Sequence, residues 1–223
     1  MIATPDLIES LAASARPVKR LRPPIVRAMI WLTFAVSILL LLAAIHGIRP
    51  DLMERVRDPL FVVGTLASLV TGVLATVAAF MISLPDRSRL WTLLPMPALA
   101  TWVSTIGYGC LTDWVSISPE GMRFGETVRC FATLVLTSVP LFLAMLLMLR
   151  YAAPLRPKPV VMVGSLAVAA ITATALALFH NIDATVLILL WNFGTAILIV
   201  GLGGVFGRNM FAWVSPRVTL GGI

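Results

Sequence analysis

Charge is scarce in this chain. Only 12% of its 223 residues are Asp, Glu, Lys or Arg, where a soluble domain would carry about a quarter. Apolar residues make up 59% and the mean hydropathy is +0.98. Cysteine and histidine occur twice each. Two cysteines cannot make a disulfide framework, although one bridge stays open. There is no G-x-S-x-G and no H-E-x-x-H, so the local signatures of a serine hydrolase and of a zinc protease are both missing. These absences argue for a non-enzyme without a cofactor. Outside its apolar runs the chain has only short pieces, none long enough to fold as a soluble domain. That excludes a large catalytic domain, a dinucleotide-binding fold and a nucleic-acid-binding domain.

What the chain has in abundance is long apolar runs. Six can be read, at about 28–46, 60–84, 90–111, 130–149, 160–180 and 185–207, and none contains Asp, Glu, Lys or Arg. Each reaches the roughly 20 residues needed to cross a bilayer core. Without water to satisfy the backbone, helix is the state open to them. The expected fold class is all-α: a polytopic membrane protein with six transmembrane helices. The first run is read as an uncleaved span, because 27 residues precede it and it is longer than a signal core. Pro95, Pro97 and Pro140 should kink the third and fourth helices rather than end them. Trp31, Trp91 and Trp114 fit an interfacial aromatic belt, and Gly203 with Gly207 fits close helix packing.

The net charge of +7 is unevenly placed. Twelve of the 17 basic residues fall in the N-terminal tail, the 85–89 and 150–159 loops and the C-terminus, and the acidic residues concentrate on the other side. By the positive-inside rule both termini are cytoplasmic. The charge is then a topology signal, with no direct nucleic-acid partner implied. The chain divides into a cytoplasmic tail 1–27, a membrane domain 28–207 and a C-terminal tail 208–223. Arg27 reads as a cytoplasmic anchor.

Residues 1–27 carry the most structured signal outside the spans. Thr4 can cap a helix, Pro5 suits its first position, and Asp6 and Glu9 favour its first turns. At 100° per residue, Leu7, Ile8, Leu11, Ala12 and Ala15 share one face, with Asp6, Glu9, Ser10, Ala13 and Ser14 opposite. Pro17 ends the pattern. So short a helix is marginal in water, and its apolar face needs a surface: lipid, the chain's own bundle, or the groove of a partner protein.

The segment from Ala15 to Trp31, with Pro17-Val18-Lys19-Arg20-Leu21-Arg22-Pro23-Pro24 at its centre, resembles the NrsF family, bacterial membrane-bound negative regulators of sigma F. Cys130 at the start of the fourth run, Ala153-Pro154-Leu155-Arg156-Pro157, His180, Trp191 and Gly207-Arg208 agree in order and spacing. The resemblance implies an anti-sigma factor whose tail holds an extracytoplasmic-function sigma factor at the membrane until a metal or oxidative stress signal releases it. Leu7, Ile8, Leu11, Ala15, Arg16, Arg20, Leu21 and Arg22 would then form the partner-binding segment. Cys130 matches a sensing cysteine of the family. A second is expected just after the histidine of the fifth span, where this chain has Asn181.

Topology gathers Cys110, Cys130, His180 and Asp183 on the outer side. Such a set could sense redox state or bind a soft metal, while each cysteine also suits a small buried apolar position. The competing reading is a small transporter or pore whose N-terminal helix lies on the bilayer. No Asp, Glu, Lys or Arg inside a run marks an ion pathway, and His46 and His180 sit at run ends.

Overall fold

Pro23 and Pro24 fix where the first helix begins. Pro24 occupies the first helical position, where its missing N–H costs nothing and its φ is already helical. The resulting α1 spans Pro24–His46, so it starts before the first apolar run and takes Arg27 into its first turns. The computed structural model describes residues 22–113, 124–150 and 157–179, with the tail positions Thr4, Glu9, Ala12 and Ala13.

Gly47 ends α1 at φ +74° and ψ 167°, its N–H donating to the Ala43 carbonyl. That backbone conformation is almost confined to glycine. A short α2, Leu52–Arg55, follows. Asp58 then caps α3, Pro59–Ile82, its carboxylate accepting from the Leu60 N–H at 2.9 Å. A 3₁₀ turn over Arg89–Leu93 leads into α4, Met96–Asp113. Pro95 and Pro97 therefore do not kink a helix already under way. Pro95 precedes α4 and Pro97 sits in its first turn, where a proline ring meets no earlier carbonyl. Pro140 does not end its helix: α5, Phe124–Arg150, continues through it. The last described helix is α6, Pro157–Phe179. Among the described residues there is no strand.

Three of these helices are long and apolar enough to cross a membrane: Pro24–Ile45, Pro59–Ile82 and Lys158–Phe179. A shorter apolar stretch runs from Leu134 to Leu149 within α5. The sixth apolar run, 185–207, with Gly203 and Gly207, lies outside the described residues, as does Trp114.

The bundle is organised around α6, whose most apolar stretch is 72% buried, against 22% for α1. The tightest seam is α3 against α6. Ala67, Ser68, Thr71, Gly72, Ala75, Thr76 and Ala79 give α3 a buried face of small side chains, which lets two backbones approach. A methyl placed on Gly72 would come within 2.7 Å of Ile171 Cδ1 and 3.3 Å of the Ile171 backbone N. One step along the seam, the Ser68 and Thr174 hydroxyls bond to each other at 2.9 Å. The paired numbers 72 with 171 and 68 with 174 run in opposite senses, so α3 and α6 are antiparallel. Most buried hydroxyls on the seam also donate to a carbonyl in the preceding turn of their own helix, as Thr71 does to Ala67 and Thr76 to Gly72. This settles their hydrogen bonds without water.

On α1 the buried residues Ala28, Trp31, Ala35 and Leu42 form one stripe, as a 3.6-residue period requires. The rest of its surface exposes Met29, Val36, Leu40, Leu41 and Ile45. In water such a face would be an aggregation surface; lipid chains match it.

Candidate functional site

The tail leaves the bundle at Arg22, which is exposed, just ahead of Pro23 and Pro24. Within the tail, Thr4, Glu9, Ala12 and Ala13 are helical and exposed. Leu7, Ile8, Leu11, Ala15, Arg16, Arg20 and Leu21 lie outside the described residues. What the structure resolves is how the root of the tail is held.

Two α1 side chains hold it. Arg27, 5% exposed, lays its guanidinium over the Phe80 ring at 5.0 Å from the centroid and donates through Nη2 to the Met148 carbonyl. Met148 lies in the last turn of α5, whose terminal carbonyls have no partner within the helix and carry the negative end of its dipole. A cation there is favourable, and the aromatic face adds to it. Arg27 Nη1 has no hydrogen-bond partner among the described residues. Trp31, fully buried, donates its indole N–H to the Leu141 carbonyl at 3.1 Å. Both residues correct the expectation from sequence. Trp31 belongs to the core and not to an aromatic belt, because its N–H finds an acceptor inside the bundle. Arg27, read from the sequence as a cytoplasmic anchor, is buried against the ends of α3 and α5 and is not an exposed charge. Trp91, on the 3₁₀ turn, stays partly exposed.

The opposite end of α1 is held just as firmly. Arg49, 4% exposed, grips Asp51 with two hydrogen bonds, Nε to Oδ1 at 2.8 Å and Nη2 to Oδ2 at 2.7 Å. The same guanidinium donates through Nη1 to the Ala177 carbonyl at 3.3 Å, and the Arg49 backbone N–H donates to Leu178 at 3.2 Å. Arg49 thereby caps the last turn of α6, as Arg27 caps that of α5, and its guanidinium lies 5.7 Å from the Phe61 centroid. Hydrogen bonds from Arg49 hold the Asp51 carboxyl below its ordinary range. Arg55 adds a looser approach to Asp51 at 3.8 Å. Sequence reading missed Arg49. The available signal was an arginine close behind a helix-ending glycine, with an aspartate following.

These contacts fix directions. Arg27, Phe80 and Met148 meet at one end, while Arg49, Phe61 and Leu178 meet at the other. Helices α1, α3, α5 and α6 therefore alternate up and down in chain order with α4 between them. By chain direction, Cys110 near the end of α4 and Cys130 near the start of α5 both fall towards the Arg49 end. Their helices pack differently: α4 lies on α3, whereas α5 lies on α6 and α1. His180 and Asp183 lie outside them, although His180 follows α6 directly in the chain.

Comparison with known proteins adds the family. A family model described as "Negative regulator of sigma F", NrsF, matches residues 11–213. A protein of Azospira oryzae named "Probable anti-sigma-F factor NrsF" is 27% identical over 215 residues, covering 94% of this chain and 99% of that one. No solved structure matches.

Proposed function

The chain belongs to the NrsF family of negative regulators of sigma F, and on that premise we propose that it is a membrane-anchored anti-sigma factor of an extracytoplasmic-function sigma factor. Residues 4 to about 24 form the capturing segment. Leu7, Ile8 and Leu11 enter a groove on the sigma factor as one face of a helix, and Ala15 and Leu21 extend the contact. Arg16, Arg20 and Arg22 meet acidic groups of the partner or lipid headgroups. The membrane domain has six spans, with both termini in the cytoplasm of a bacterial inner membrane. Held there, the sigma factor is kept from RNA polymerase. A redox or metal signal at Cys110, Cys130, His180 and Asp183 releases it by favouring a membrane state with lower tail affinity.

The observation that carries this reading is the family match, which starts inside the tail and runs through every described helix. It is supported by an exposed tail root, a short amphipathic segment in need of a surface, and the absence of the local enzyme motifs sought. The test is a pull-down from detergent-solubilised native membranes, comparing the full chain with a form lacking residues 1–24. A sigma factor retained by the first and lost from the second is the expected result. A sigma factor retained equally by both forms would move the binding site out of the tail. Its absence from both would sink the anti-sigma reading.

A further inference from the structure

We infer that α1 is a rigid relay between the two ends of the bundle, with Arg49 and Arg27 as its positioning residues. The inference deepens the proposed function, since it names the element through which a far-end signal would reach the tail.

Three observations carry it. First, between Pro24 and His46 the helix contains no glycine and no further proline, whereas each of α3, α4, α5 and α6 has one or the other in its interior. A helix without such a weak point moves as one body. Second, among the described residues the fully buried apolar side chains of α1 are Ala28, Trp31, Ala35 and Leu42, with Ile38 and Leu39 partly buried against the core. Leu40, Leu41 and Ile45 are each about 60% exposed. The far third of α1 is therefore held by Leu39 and Leu42 and by the loop that follows it, where Arg49 binds Asp51 and the last turn of α6. Third, that last turn runs directly into His180, one of the expected sensing residues. A shift of the α6 end would pull on Arg49, and α1 would carry the motion to Arg27 and Arg22. The span from Arg27 to Arg49 is about 33 Å at helical rise.

The test uses the full-length protein in lipid nanodiscs, with trypsin as the probe. Tail cleavage after Lys19 and Arg20 is timed in wild type, Arg49→Gln, Asp51→Asn and Glu54→Gln. Glu54 neighbours the clasp and takes the same loss of charge as Asp51→Asn, while side-chain bonds of Arg49 among the described residues go to Asp51 and Ala177. The relay requires both clasp variants to change the tail cleavage rate at least threefold in the same direction, with Glu54→Gln at the wild-type rate. It also requires unchanged cleavage after Arg87 and Arg89. Wild-type tail rates in both clasp variants would overturn it, and so would an equal change in Glu54→Gln. A parallel rise at Arg87 and Arg89 would show the whole bundle loosening, which also overturns a relay confined to α1. Asp51→Asn keeps the decision open if Arg49→Gln fails to insert. No sigma factor enters this readout, so its failure and the failure of the pull-down are separate results.

Discussion

Arg27 and Trp31 do for α1 what no apolar side chain could, since each joins it to a backbone carbonyl of another helix. Interhelical hydrogen bonds in membranes average about 0.6 kcal/mol and reach about 1.7. Trp31→Phe should therefore lower stability by about 1 kcal/mol, read from unfolding in mixed detergent micelles. Trp31→Ala also leaves a cavity and should cost about 3–5 kcal/mol. Gly47 makes a different prediction. A methyl there meets nothing within 4 Å, so Gly47→Ala costs only through backbone strain, about 1–3 kcal/mol. A loss below that range in the same assay would mean the α1 exit relaxes to another conformation. Asp51 predicts a pH response. Its folded pKa lies below the unfolded one, so its contribution is present above the unfolded value, near about 3.9. It is lost as pH falls through the lower folded value. Unfolding followed from pH 7 to 5 should show no step from this group, and Asp51→Asn should approach wild type only in more acid solution.

At the scale of elements, the α3–α6 seam sets the tolerance of the bundle. Gly72→Ala forces a methyl against Ile171 side chain and backbone and should cost about 1–3 kcal/mol. Gly164→Ala should be milder, because its nearest neighbour is Met145 Cγ at 3.3 Å, and methionine can bend away. Equal losses in the two variants would argue that α5 and α6 are as tightly apposed as α3 and α6. The helices themselves were legible in the sequence. The runs at 28–46, 60–84 and 160–180 became α1, α3 and α6 with small shifts at their ends, because uncharged runs of that length have no other way to satisfy their backbone in lipid. Their partners were not legible. Ala67, Thr71, Ala75 and Ala79 recur every four residues, yet that pattern names a packing face and not which helix it meets. Trp31 shows the same limit: near a span end, an interfacial indole and a core indole occupy the same sequence position. Arg27 was hidden by its neighbours, since Arg20 and Arg22 made it one more residue of a basic tail.

For the whole molecule, alternating helix directions give a topology that can be read by fusion. Reporters joined after residues 86 and 155 should face the same side as the N-terminus, and one after residue 54 the opposite side. A reporter after residue 223 should match the N-terminus if the run at 185–207 completes a sixth span. A mismatch at residue 86 would contradict the described bundle; a mismatch at 223 would remove only the sixth span. The bond from Arg27 to the Met148 carbonyl has a further consequence, for the order of assembly. The two residues are 121 apart in the chain. At ordinary rates of synthesis, Arg27 is made roughly 6 to 24 s before its acceptor. During that interval its guanidinium lacks the acceptor that holds it in the folded bundle. The bond to the carbonyl can form only when α5 arrives. The tail root is therefore set only after more than half the protein has been made, and a chain truncated before residue 148 would carry the tail without the anchorage that positions it.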